Sequence, residues 1–196
     1  MAKEPIETLV TELTHEEEWR RMRATAACVA GGPRAVQALI GVLRSGAPDL
    51  IQEAAAMLAR IKDPEAGVAL VDLLGHDDAT VRKAGATALE QMAGMLDTDT
   101  ATALVALLPG IQEGEAKQQL THLIGAIPTA VGPLCDMLKD ADPDKQVAAA
   151  TMLDQLLDPR SIDAFIDAMG QPAVCSIAVG TLKKLGAIRE RIDDTF

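Results

Sequence analysis

The sequence predicts an all-α fold, a right-handed solenoid of six stacked helical hairpins with about twelve helices. Three observations indicate this fold: a repeat of about 30 residues, apolar anchors that fall on one helical face, and proline or aspartate at the expected helix starts. Apolar residues make up 48% of the 196-residue chain, enough to bury a core. Aromatic residues make up only 2%, which disfavours a β-sandwich or barrel.

The first helix of each unit is marked by an apolar anchor. The anchors recur at intervals of about 30 residues, and they are Leu9, Leu39, Leu70, Leu104, Leu134 and Phe165. The next position reads Val10, Ile40, Val71, Val105, Cys135 and Ile166. Four residues after the anchor, the column reads Leu13, Leu43, Leu74, Leu108, Leu138 and Met169. These offsets share one helical face, so each column is predicted to be buried. The longest interval, from Leu70 to Leu104, predicts an extra helical turn around 93–96.

The second helix of each unit has its own anchor, at a constant distance from the first in the first five units. The anchors are Cys28, Leu58, Leu89, Leu123 and Leu153, with Leu182 or Leu185 in the irregular sixth unit. Four residues earlier the chain carries Ala24, Ala54, Gly85, Gln119 and Ala149. Small side chains at most of these positions would let a neighbouring helix approach closely.

Prolines and aspartates mark the boundaries of the units. Proline suits the first helical position, and aspartate before it caps the free N–H groups. First helices start near Pro33, Pro64, Thr98, Pro128 and Pro159, and second helices near Pro48, Asp78 and Pro143. We therefore expect one domain over 1–196, built of units 5–32, 33–63, 64–97, 98–127, 128–158 and 159–187 with a short tail at 188–196.

The third unit, DPEAGVALVDLLGHDDATVRKAGATALEQM, resembles a HEAT repeat of the short, PBS-lyase-type HEAT-like family. The resemblance extends from residue 5 to about residue 187. It implies an armadillo-type superhelix whose second helices line the concave face. The family's Val-Arg pair is present only as Val81–Arg82, because other units carry Ile51–Gln52 or Gln146–Val147. Relatives of this type include bilin lyase subunits, and a di-iron hydroxylase group with several His-Glu pairs.

The residues that could carry chemistry have simpler explanations. Only His15 is followed by Glu, so a di-iron site is not predicted. The D-x-D-x-D run at 140–144 has no Gly and Glu at the positions that a calcium loop needs, so we interpret it as a helix cap. Cys28 and Cys135 fall in apolar columns and are predicted to be buried, whereas Cys175 lies in the irregular unit. We predict no catalytic residue, no cofactor and no metal ion.

The charge and the cysteines restrict the partners and the compartment. The net charge is −11, which disfavours nucleic acid as the main ligand. A base-excision function, known on a HEAT-like fold, would need a basic, aromatic-lined groove. No apolar run is long enough for a membrane span, and no secretory signal is visible. Three scattered cysteines are typical of a cytoplasmic protein. The oligomeric state stays open.

The outward positions of the second helices form the predicted binding surface. Two residues before the second anchor lie only small side chains, which are Ala26, Ala56, Thr87, Thr121 and Thr151. The proposed protein-binding residues are Trp19, Arg23, Gln52, Glu53, Lys83 and Gln118. Trp19 either contributes to an interface or folds back on the first helix as a terminal lid. Alternatively, the convex side binds, through Gln37, Asp72 and Asp136.

These features favour a non-catalytic scaffold or adaptor that binds another protein along its concave face. The third and fifth units each contain six acidic and two basic residues, so a basic patch on that partner would be attracted there. The alternative is a subunit of a bilin lyase-type chromophore attachment enzyme, which would act together with a partner. That function needs Arg or Lys side chains for the propionates of the bilin, beside apolar walls.

Overall fold

The computed structural model describes residues 5–111 and 114–187, in which twelve α-helices follow one another and no β-strand occurs. The helices are α1 Ile6–Val10, α2 Glu18–Gly31, α3 Pro33–Ser45, α4 Pro48–Ile61, α5 Gly67–Asp72, α6 Ala79–Met92, α7 Thr98–Ala106, α8 Glu115–Gly125, α9 Val131–Met137, α10 Pro143–Leu156, α11 Ile162–Ala168 and α12 Cys175–Lys184. They pair in order as six hairpins, so the predicted fold class and hairpin count are confirmed. The predicted tail at 188–196 lies outside the described residues.

The contacts divide the chain into two compact units, Met1–Thr100 and Ala101–Phe196. In the first unit, α1 packs on α2, α3 on α4 and α5 on α6, and α4 also packs along α6. In the second unit, α9 packs on α10, α11 on α12, and α10 contacts both α8 and α12. A single domain over 1–196 stays a prediction.

The two anchor columns form the core of the hairpins. The first-helix anchors are fully buried from Leu39 to Phe165, while Leu9 is partly exposed. The second-helix anchors are buried throughout, and the sixth is Leu182 rather than Leu185. Two column positions in α11 and just after it differ from the prediction, because Ile166 is 47% exposed and Met169 is 36% exposed. No described helix lies over these two side chains to complete their burial.

The predicted capping residues hold the helix starts. A side-chain oxygen accepts a backbone N–H two or three residues ahead at Asp63, Asp78, Asp97, Asp142 and Asp158. Several first helices begin or end with a 3₁₀ turn, among them the turn at Pro64–Ala66. The α2 helix stops at Gly31–Gly32, where Gly32 has a φ of 57°. The extra turn predicted from the long interval is the 3₁₀ helix Ala93–Met95.

Small side chains permit a close approach between the helices of the first unit. A Cβ atom added to Gly85 of α6 would lie 2.8 Å from the Cβ of Leu73 and 3.2 Å from the carbonyl oxygen of Leu70. The side chain of Thr100 packs directly against the Cα of Gly67. Gly67 therefore has no room for a side chain, although its helical backbone would accept one.

We expect Gly67→Ala to lower the free energy of unfolding by about 1–3 kcal/mol, because the new methyl group overlaps Thr100. The Thr100 hydroxyl is buried and has no hydrogen-bond partner among the described residues. Removing this hydroxyl should therefore change the free energy of unfolding little. The double variant Gly67→Ala/Thr100→Ala should recover much of the loss. Urea denaturation of the four proteins measures this coupling. Additive losses in the double variant would contradict the proposed overlap.

An ionic cluster joins α10 to α12 in the second unit. Asp154 accepts hydrogen bonds from Lys184 Nζ at 2.8 Å and from the buried Thr181 hydroxyl at 2.7 Å. The Lys184 ammonium and the Thr181 hydroxyl hold the pKa of Asp154 below its ordinary value. The Arg160 guanidinium similarly lowers the pKa of Asp158. Both carboxyl groups therefore favour the folded state when they are ionised.

These depressed pKa values predict an acid-sensitive fold. The unfolded chain binds protons at higher pH than the folded one, so their contribution is complete above about pH 5 and is lost as the pH falls through the folded pKa values. Thermal unfolding between about pH 7 and pH 2 should show this loss. Asp154→Asn should lower the thermal stability at neutral pH and reduce the further loss of stability on acidification, whereas the exposed Asp136→Asn should do neither. If Asp154→Asn loses as much stability on acidification as the unchanged protein, the proposed role of Asp154 is wrong.

Candidate protein-binding face

Grooves lie between second helices of neighbouring hairpins. The α2–α4 groove has a volume of about 690 Å³ and the α4–α6 groove about 390 Å³, both in the first unit. The α8–α10 groove of the second unit has a volume of about 660 Å³. The small residues predicted to face outward line these three grooves: Ala26, Ala56, Thr87, Thr121 and Thr151. The exposed face of the second helices is therefore indented rather than flat.

The α4–α6 groove contains two of the predicted binding residues. Gln52 and Lys83 both line it, together with Gln91. The amide of Gln52 donates a hydrogen bond of 3.2 Å to the hydroxyl of Thr80 and thereby links α4 to α6. Lys83 is exposed and is the only charged side chain among the residues that line this groove.

The α2–α4 groove has an exposed apolar wall on α2 and charged residues along its border. Met22 is 65% exposed and Val29 is 53% exposed, and both line the groove on its α2 side. Glu53, a predicted binding residue, and Arg60 border it on α4. Sequence reasoning missed Met22 and Val29. The available signal was the three-four-three spacing of Trp19, Met22, Ala26 and Val29, which places apolar side chains on one face of α2.

The α8–α10 groove is mixed in character. Gln118, the last of the predicted binding residues, lines it from α8, and Gln155 lines it from α10. Val147 is 38% exposed and contributes an apolar surface between them. Lys117 and Asp144 are its fixed charges, so this groove is close to neutral.

Trp19 lies at the start of α2 and is 56% exposed. The guanidinium carbons of Arg20 and Arg23 lie 5.3 Å and 5.5 Å from its ring centroid, which is the distance of cation–π contacts. Arg23 also donates to Glu12 at 2.6 Å, so this predicted binding residue is held within the first hairpin. More than half of the Trp19 side chain is thus exposed, with two α2 cations beside its ring. Its role in an interface stays a prediction.

The histidine-containing turns are closed by hydrogen bonds that the sequence analysis did not anticipate. The Nδ1 atoms of His15 and His76 accept the backbone N–H groups of the residues two positions ahead, at 3.1 Å and 3.0 Å. Arg21 and Arg82, each six residues after its histidine, donate to the two carbonyl groups of the same turn. The signal was present, since the same His and Arg pairing occurs in the first unit and again in the third.

The acidic run at 140–144 forms a third turn of this kind. Asp140 accepts the backbone N–H of Asp142 and an ion pair from Lys145, which together hold its pKa below the ordinary value. Gln146 donates to the carbonyl oxygen of Asp140 at 2.6 Å, in the place of the arginine. The interpretation of this run as a capped turn is confirmed.

The described ranges show neither a metal-binding cluster nor a membrane-spanning helix. In residues 5–111 and 114–187, no three His, Cys, Asp or Glu side chains meet in a group that could hold a metal ion. Within the same ranges, no helix has the length and apolar character required to cross a membrane.

The comparisons with known proteins point to one kind of repeat. The family model for HEAT repeats matches residues 6–90 and 36–125, which together span more than half of the chain. Among curated proteins, no sequence matches the chain.

Several solved structures share the repeat architecture at low sequence identity. An engineered protein is 23% identical, with coverage of 94% of this chain and 98% of that chain and a TM-score of 0.44. The complex of CpcE and CpcF of phycocyanin lyase from Nostoc sp. gives 23% identity, coverage of 95% and 79%, and a TM-score of 0.44. A designed armadillo repeat protein in complex with a (KR)4 peptide gives 18% identity, coverage of 93% and 100%, and a TM-score of 0.44.

We expect the three unpaired cysteines to react with a thiol reagent in a fixed order. Cys28 is fully buried, and burial raises the pKa of its thiol. Cys135 is partly exposed, contrary to the prediction from its column, yet burial still raises the pKa of its thiol. Since the thiolate is the reactive form, Cys175 should react first, Cys135 more slowly and Cys28 only on unfolding.

Mass spectrometry of tryptic peptides after timed native labelling measures this order. Cys175→Ser should remove the fastest phase and leave the other two unchanged. Fast native labelling of Cys28 would place it at the surface and would contradict its position in the core.

Proposed function

Because the chain belongs to the HEAT repeat family, we propose that it is a non-catalytic scaffold or adaptor that binds another protein along the face of its second helices. The grooves between these helices are the observation that carries the proposal. They are open to solvent, lined by small residues, and bordered by exposed apolar and amide side chains. Such surfaces suit extended protein contacts, because a partner can place several side chains into successive grooves.

The charge distribution supports a protein partner with a basic patch. The lining of the α4–α6 groove contains a single charge, Lys83, although the whole chain carries −11. Acidic side chains instead concentrate in the turns, as at Asp77–Asp78 and in the run 140–144. Basic groups on a partner would be steered by these turns, while apolar and amide contacts form in the grooves. A cytoplasmic location is part of the proposal, because the three cysteines are unpaired.

A bilin lyase subunit is the competing function, and the α2–α4 groove is where it would be tested. This groove combines apolar walls with Arg60, a cation that could hold a propionate. Its other arginine, Arg21, is committed to the turn at His15–Glu16. Adding bilin and recording the absorbance spectrum separates the two functions. A shift that Arg60→Ala abolishes would favour the chromophore function over the scaffold.

We expect variants of the second-helix face to lower the affinity of the chain for a captured partner. Lys83→Glu and Trp19→Ala change exposed side chains, so helicity and thermal stability should be retained. Affinity capture followed by mass spectrometry identifies the partner, and titration with the purified partner then gives the affinity of each variant. The loss at a central contact should be about 1–2 kcal/mol or more, while a peripheral charge alters mainly the association rate.

Matched variants on the first helices provide the control. Asp72→Ala and Asp136→Ala also change exposed side chains, on α5 and α9. They should leave the affinity unchanged. Gln37 is less suitable alone, because its amide donates to Glu65 at 2.9 Å. If the Asp72 and Asp136 variants abolish binding while Lys83→Glu does not, the partner uses the other face.

A further inference from the structure

The α2 helix presents an apolar stripe that no described helix covers. Trp19, Met22 and Val29 are each more than half exposed, and Ala26 lies between them on the same face. Exposed methionine and valine side chains one to two turns apart form a contiguous patch, whereas isolated exposed apolar residues are ordinary. At the position equivalent to Met22, the next two hairpins carry Gln52 and Lys83. Within the first three hairpins, the exposed apolar residue at this position is therefore specific to the first, and in the fifth hairpin the equivalent residue is Val147, which is 38% exposed.

The groove beside this stripe has the dimensions of a helix-binding site. It lies between α2 and α4, which each contain 14 residues, and so extends for about 21 Å. Its lining includes the buried Leu13 and the small, exposed side chain of Ala30. An extended peptide needs a partner for each backbone group that it buries, and the apolar wall of Met22, Ala26 and Val29 offers none. A helix satisfies its own backbone and needs only apolar contacts.

Two charged side chains border the groove on α4. The side chains of Glu53 and Arg60 make no hydrogen bond or ion pair with any residue in the described ranges. They are seven residues apart, or about 10 Å along the helix axis. By contrast, Arg20, Arg21 and Arg23 on α2 are all bonded within the first hairpin. The α4 side of the groove thus offers one available acid and one available base, about two turns apart, and Glu18 is a further exposed acid on the α2 side.

We propose that the α2–α4 groove binds an amphipathic α-helix of the protein partner. This helix packs its apolar face against Met22, Ala26 and Val29. It carries a basic residue opposite Glu53 and an acidic residue about two turns away, opposite Arg60. The inference rests on the proposed scaffold function and assigns a partner class to one of its grooves.

A designed helical peptide tests this assignment directly. The probe is a fluorescein-labelled peptide of about five helical turns, built from Leu, Ala and Gln, with Leu at three-four-three spacing. One version carries Lys and Glu two turns apart at the edge of the Leu stripe, and the other carries Lys at both positions. Fluorescence anisotropy gives their affinities for the full chain. We expect the Lys/Glu peptide to bind about fivefold more tightly than the Lys/Lys peptide.

Variants of the chain then locate the binding. Arg60→Glu should reverse the preference between the two peptides, because the α4 rim then carries two acids. Met22→Asp and Val29→Asp should each lower the affinity for the Lys/Glu peptide about tenfold or more. Both residues are exposed, and circular dichroism confirms that each variant is folded. Met95→Asp is the matched control, since Met95 is 55% exposed on the turn after α6. It should have no effect.

Three outcomes would overturn the assignment. The first is no saturable binding, or binding with no charge preference. The second is binding that Val147→Asp abolishes and Met22→Asp spares, which moves the site to the α8–α10 groove and leaves the scaffold function intact. The third is self-association of the chain, seen by sedimentation and lost in Met22→Asp, which makes a second copy the occupant. A failed scaffold function would instead appear as affinity capture that yields no protein partner for the full chain.

Discussion

The close approach of two helices within each hairpin is the constraint on which the rest of the structure depends. Buried small residues of the second helices make it possible, as at Ala24, Ala54 and Gly85. At Gly85 even one added carbon would lie 2.8 Å from Leu73. With the backbones this close, the buried anchors of the first and second helices form the core within each of the two compact units. The opposite face of each second helix is then exposed to solvent, and grooves lie between these exposed faces.

Periodicity predicted most of the fold because the same packing problem recurs in each unit. Leu58 and Leu89 are buried for the same geometric reason, so a spacing rule that finds one finds the other. The caps were predictable for a related reason, since a helix start always leaves N–H groups free and Asp78 or Asp142 satisfies them. The rule fails at Ile166, where the sequence repeats but a covering helix is not described. Whether a side chain is buried depends on the elements that pack against it, and the spacing within one helix does not reveal them.

The candidate binding face was predictable in position but not in character. The outward column of small residues lines the grooves between the second helices, as the wheel positions predict. The same reasoning chose Arg23, whose guanidinium is bound to Glu12, and omitted Met22, which an apolar pattern normally assigns to a core. Ion pairs between a helix and its own preceding turn, and the width of a groove, depend on three-dimensional distances. No spacing rule expresses either of them.

The difference between the first two grooves has a specific origin in the sequence. In the α4–α6 groove, Gln52 donates to Thr80 and draws the two helices together across its entrance. The equivalent pair in the preceding hairpins is Met22 and Asp49, which cannot form such a bond because a thioether has no donor. The α2–α4 groove lacks this bond and has a volume of about 690 Å³, against about 390 Å³ for its neighbour. It therefore combines a larger volume with an exposed thioether at the position where its neighbour has an amide. Those two properties together are what the apolar face of an incoming helix requires, because it must enter between α2 and α4 and displace only weakly held water.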